Sequence, residues 1–184
     1  MAHKVNILVL TVAAAFVLSG CAHKYGPLSN AEVTASVDGM ARSGVMSRPE
    51  GERYYLIWGK IMNDGFPQST ADVDWLLAEG QHGTPAQLAG RYPMIGVTLA
   101  CLKPDHVDEA HRLQIIAYAR TMSGCTDHEH AKAARYSACL IYRRFAQRSD
   151  LLSIEMLYND PDPQVRKMAH GAAFKARHRQ AGDS

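Results

Sequence analysis

The sequence predicts an all-α protein, and two observations carry that prediction. Apolar residues recur three and four positions apart in successive segments, and those segments open and close on helix start and stop signals. No stretch alternates apolar and polar residues over four or more positions with the β-branched enrichment of a strand. The expected architecture after an N-terminal signal helix is an irregular helical bundle or a short array of paired helices.

The chain divides into four parts. Residues 1–20 form a signal segment: a short basic head with Lys4, an apolar run from Val5 to Val17, then Leu18, Ser19 and Gly20 ahead of Cys21. Residues 21–48 read as a tether with one short helix, opened by Ser29 and Glu32 at capping-box spacing and stopping near Gly44. Residues 49–180 form the helical domain, and residues 181–184 a tail.

Within the domain, Pro49 suits a first helical turn, and Tyr54, Ile57, Trp58 and Ile61 follow at helical spacing up to Asn63-Asp64-Gly65. A short helix with Val73, Leu76 and Leu77 runs from Ser69 to Gly80. Thr84-Pro85-Ala86-Gln87 starts a helix to about Leu102, with a break or kink expected near Tyr92 because residues before proline avoid helical angles. Pro104 opens the next, placing Val107, Ala110, Leu113, Ile116 and Ala117 on one face and Asp108 with Arg112 as a surface pair. Thr126 and Glu129 announce a long helix over 127–147. Its apolar stripe is Ala134, Ala138, Ile141, Tyr142 and Phe145, and Lys132, Arg135, Arg143 and Arg144 form a basic face opposite. A short apolar helix at 150–158 and an Ala-rich helix ending near Arg179 complete the chain.

Two stretches resemble known families. Leu18-Ser19-Gly20-Cys21 resembles the lipobox of bacterial lipoproteins, which implies removal of residues 1–20 and acylation of Cys21. The resemblance implies a membrane partner through that lipid, and Ala22 rather than Asp after the cysteine implies the outer membrane, facing the periplasm. The short helix, the turn Asn159-Asp160-Pro161-Asp162-Pro163 with Val165-Arg166, and the Ala-rich helix together resemble one HEAT-type helix pair over about residues 150–179. Pro104-Asp105 and Ala119-Arg120 recur 57 positions later as Pro161-Asp162 and Ala176-Arg177, a weak echo because the residues between do not match.

Charge is uneven along the chain. Residues 22–131 carry nine Lys/Arg against thirteen Asp/Glu, and residues 132–179 carry ten against four. The basic half could meet an anionic partner, or simply be a solvated face. An exported location argues against nucleic acid.

The chemistry on offer is thin. Helix geometry favours Cys101–Cys139 as a disulfide across one intervening helix, with Cys139 alternatively a buried thiol and Cys125 left free. Asp127 and His130 share a helix face and are weak metal candidates, more simply read as solvated residues at a helix N-terminus. Asp108-Glu109-Ala110-His111 spells a helicase motif without any phosphate-binding loop and is read as coincidence. No zinc-protease, nucleophile-elbow or Cys-x-x-Cys motif occurs, and no cofactor is expected. The aromatics Tyr54, Tyr55, Trp58, Phe66 and Trp75 read as core or, where exposed, as interface anchors. The functional expectation is a non-enzymatic accessory module that binds an envelope protein, such as a component of a secretion or conjugation assembly. The alternative is an envelope enzyme or a metal- or ligand-binding protein with a site between helices.

Overall fold

The computed structural model describes residues 28–64, 69–126 and 130–179. Among the described residues there are eight α-helices and no strand. They are α1 (Asn30–Ser43), α2 (Arg48–Asp64), α3 (Thr70–Glu79), α4 (Pro85–Ala100), α5 (Glu109–Ser123), α6 (Ala131–Phe145), α7 (Leu151–Glu155) and α8 (Pro163–His178). None is long and apolar enough to cross a membrane.

Local chemistry sets most of the helix ends. The Ser29 amide donates to the Glu32 carboxylate at 2.8 Å and the Glu32 amide to the Ser29 hydroxyl at 3.3 Å, which satisfies two orphan donors. Gly44 closes α1 at φ 73, where a side chain would be strained. Thr84 and Gln87 repeat the same reciprocal cap at α4, and Asp162 caps α8 through the amides of Gln164 and Val165.

The short helix read within residues 21–48 packs on the next one. Val37 and Met40 of α1 are buried, and a Cβ on Gly51 of α2 would sit 3.4 Å from Val37. Helix α1 is therefore part of the packed domain. Every buried apolar side chain of the described residues lies between Val37 and Ala176.

Of the break or kink expected near Tyr92, the break does not occur. Pro93 sits inside one helix from Pro85 to Ala100. Proline costs a backbone hydrogen bond, but ten of the sixteen residues are buried, so packing from several sides outweighs the local preference. Small residues allow that approach. A Cβ on Gly96 would lie 2.9 Å from Ser137 Cβ and 3.0 Å from Met122, and one on Gly90 would lie 2.6 Å from Val45.

Helix α5 corrects another expectation. Pro104 starts only a 3-10 turn, and Asp108 caps the helix proper by accepting from the His111 amide at 2.9 Å. The buried face is Arg112, Ile115, Ile116, Ala119 and Met122, whereas Leu113 and Ala117 are exposed. Arg112 is not on the surface and does not pair with Asp108. It donates to both Glu109 oxygens at 2.7 and 2.8 Å and to Asp150 at 3.2 Å. Asp150 is itself buried and also accepts from Arg120 at 2.9 Å.

The helices form two layers. The Pro93 carbonyl meets Ser137, and the Leu102 carbonyl meets Arg144, so α4 and α6 run parallel. Val165 meets Cys139, and Arg179 reaches the carbonyls of Arg143 and Ala146, so α6 and α8 also run parallel. Tyr54 of α2 packs on the face of α4 opposite α6, its hydroxyl 2.8 Å from Thr98 Oγ1. Helices α2, α4, α6 and α8 thus stand side by side. In the other layer α3 and α5 are neighbours, with Asp74 on His111 and Gly80 under the Tyr118 ring. Helix α6 is the centre, packed along its length on α4, α5 and α8.

Candidate interaction surface

The three cysteines of the described chain carry free thiols, and the expected Cys101–Cys139 disulfide is not formed. Cys139 is fully buried, and its Sγ turns to the Val165 carbonyl on α8 at 3.8 Å, away from the end of α4 that carries Cys101. Burial pushes its thiol up to about 12, with Asp160 adding to the effect. The Cys101 thiol is also raised by burial, against the opposing pull of Arg144. Cys139 is expected to resist alkylation in the folded chain, because the thiolate is the nucleophile. Denatured without reductant, the chain is expected to take up label on all three cysteines; uptake on one alone would restore the disulfide.

The basic face also needs correction. Arg135 points inward, buried against Asp160, with its Nε and Nη2 donating to the carboxylate and its Nη1 donating to the Cys125 carbonyl at 2.6 Å. Lys132 is exposed but pairs with Asp162 at 2.7 Å. Arg144 caps the Leu102 carbonyl at 2.9 Å. Of the four, only Arg143 is an exposed cation without an ion pair or a side-chain cap among the described residues. Cys21, Phe66 and Asp127 lie outside the described residues. His130 is half-buried at the start of α6, and no three His, Cys, Asp or Glu side chains converge among the described residues.

The motif at Asp108–His111 does structural work. His111 bridges two elements, with Nδ1 2.8 Å from Asp108 and Nε2 3.2 Å from Asp74 of α3. Desolvation opposes protonation, but Asp108 and Asp74 together outweigh it and raise the imidazole above its ordinary 6.5. A raised folded value means the contribution is complete below 6.5 and fades as pH rises through the folded value. Stability is therefore expected to fall over that window and to fall less in H111Q, read by urea midpoints across the pH series.

Of the aromatics near the start of the domain, Tyr54 is buried and Tyr55, Trp58 and Trp75 are half-buried. Trp75 lies under the Arg53 guanidinium at 4.9 Å, and Trp58 meets Tyr55 edge-on. Among the described residues the exposed large apolar side chains are Leu152 (79 %), Met156 (73 %), Leu56 (68 %), Phe174 (58 %) and Leu113 (52 %), three of them on α7–α8 and the turn between. The sequence reading assigned only a short apolar helix at 150–158 and an Ala-rich helix after it, and singled out neither Leu152 nor Phe174. The available signal was spacing: on α8 the inward stripe is Val165, Ala169, Ala172, Ala173 and Ala176, which leaves Phe174 outside it.

Comparison with protein-family models, with curated proteins and with solved structures gave no match to this chain.

Proposed function

We propose that the chain is a bacterial envelope lipoprotein, acylated at Cys21, whose helical domain is a non-enzymatic interaction module for another envelope protein. The observation that carries this reading is Leu18-Ser19-Gly20-Cys21 at the end of the apolar run Val5–Val17. More than one acyl chain on that residue would suffice for stable attachment. Ala22 favours the outer membrane, facing the periplasm. Cys21 and Asn30 are nine residues apart, so the connection reaches at most roughly 30 Å and keeps the domain close to the bilayer. The paired helices at 150–179 support a binding scaffold of HEAT-like character, by fold-level analogy.

The test is fractionation of cells producing the full chain or C21S. The natural chain is expected in the membrane and detergent-phase fractions, with C21S retaining residues 1–20 and losing acylation. Identical processing of the two proteins would defeat the anchor. In-membrane crosslinking addresses the module: a discrete heterocomplex supports it, and a chain that stays uncrosslinked to any other protein counts against it.

A further inference from the structure

The α7–α8 pair presents apolar and cationic side chains on one outward face. Tyr158 stacks on His170 at 4.1 Å, and Arg177 pairs with Glu155 at 3.2 Å, which fixes the seam between the two elements. Residues 170, 174 and 177 share one stripe of α8, so Phe174 stands between those two contacts on the outer side. Leu152 and Met156 are four apart and both point away from the buried Ile154 and Leu157. The three thus protrude from one seam.

The charge around them has one sign. Helix α8 holds Arg166, Lys167, Lys175 and Arg177 and no acidic residue. Lys167 and Lys175 are exposed and form no ion pair among the described residues, and Arg143 and Arg148 are in the same state near the end of α6. The acids nearby are neutralised: Glu155 by Arg177, Asp160 by Arg135 and Asp162 by Lys132.

We propose that this face, with Leu152, Met156 and Phe174 protruding among Lys167, Lys175 and Arg143, docks on the headgroup region of an anionic phospholipid bilayer. Charge complementarity selects the occupant. Unpaired, flexible lysines suit mobile phosphates, and protruding apolar side chains, Phe174 with its ring 4.3 Å from that of His178, suit insertion between acyl chains. A purely polyanionic partner would leave the apolar residues unused. The inference stands on the face itself and does not require acylation of Cys21; an anchor would only hold the face near its surface.

The test uses unlipidated chain from Ala22 onward, which contains every buried apolar side chain of the described residues, with a cooperative melt showing that it folds, and sedimented vesicles. Binding is expected to vesicles of equal phosphatidylcholine and phosphatidylglycerol, and not to phosphatidylcholine alone. Removing each lysine (K167Q, K175Q) is expected to weaken binding about fivefold, the affinity equivalent of one cation near an anionic surface. Replacing Leu152, Met156 and Phe174 together by Ser is expected to weaken it at least about a hundredfold. All are exposed positions, and unchanged helical content and melting confirm that the variants are folded. No binding to the mixed vesicles, equal binding to both kinds, or binding indifferent to the Ser variant overturns the proposal. So does a dimer that the Ser variant dissociates, which would make a second copy the occupant. Failure here leaves the Cys21 fractionation unaffected, so the two readings fall separately.

Discussion

Replacing Asp160 by Ala is expected to destabilise the folded chain by about 3–5 kcal/mol, because it strands a buried charge. Arg135 is buried and, among the described residues, pairs with no other carboxylate; without Asp160 its guanidinium keeps there the Cys125 carbonyl alone. The same substitution removes the acceptor of the Asp162 amide at 2.8 Å, which orders the turn ahead of α8. The loss corresponds to a melting temperature lower by roughly 10 °C in a domain of this size. Urea unfolding is the measurement, with the slope unchanged and the midpoint lowered. Replacing Arg135 and Asp160 together by apolar residues is expected to recover most of the loss, since the cost lies in leaving one charge alone. A cost below about 1 kcal/mol, the scale of an exposed pair, would show that Asp160 is solvated.

The Asp150→Ala variant is expected to lose somewhat less, about 2–4 kcal/mol, for a related reason. Asp150 accepts from Arg112, Arg120 and the Gln147 amide, and so joins α5 to the turn that leads into α7. Arg112 keeps both Glu109 oxygens and the Phe145 carbonyl when Asp150 is gone. It is therefore less stranded than Arg135. The ordering is testable on its own: D160A below D150A in urea midpoint supports the burial argument, and the reverse order contradicts it.

Much of the fold was legible because its signals are local. Ser29 with Glu32 and Thr84 with Gln87 cap the helices they announce, and the stripe Ala134, Ala138, Ile141, Tyr142 and Phe145 is buried as its spacing implies. The failures share a cause, which is that side-chain chemistry does not reveal distant neighbours. Pro93 reads as a breaker until α4 is found packed on α2 and α6. Arg112 and Arg135 read as surface charges because their carboxylate partners, Asp150 and Asp160, lie 38 and 25 residues away. Leu113 reads as core because the face of α5 was set from Pro104, five residues before the helix begins. The candidate surface was harder still. Its basic composition was visible, but which cations are already paired, and which apolar side chains face outward, depends on the packing of α7 on α8.

The central claim is that Cys21 is the acylated first residue of the mature protein. The direct measurement is the intact mass of the chain purified from membranes in detergent, with sequencing of its N-terminal peptide. The account predicts a chain that lacks residues 1–20 and carries acyl mass confined to Cys21. A chain that retains Met1, or one cut elsewhere with an unmodified Cys21, would contradict it.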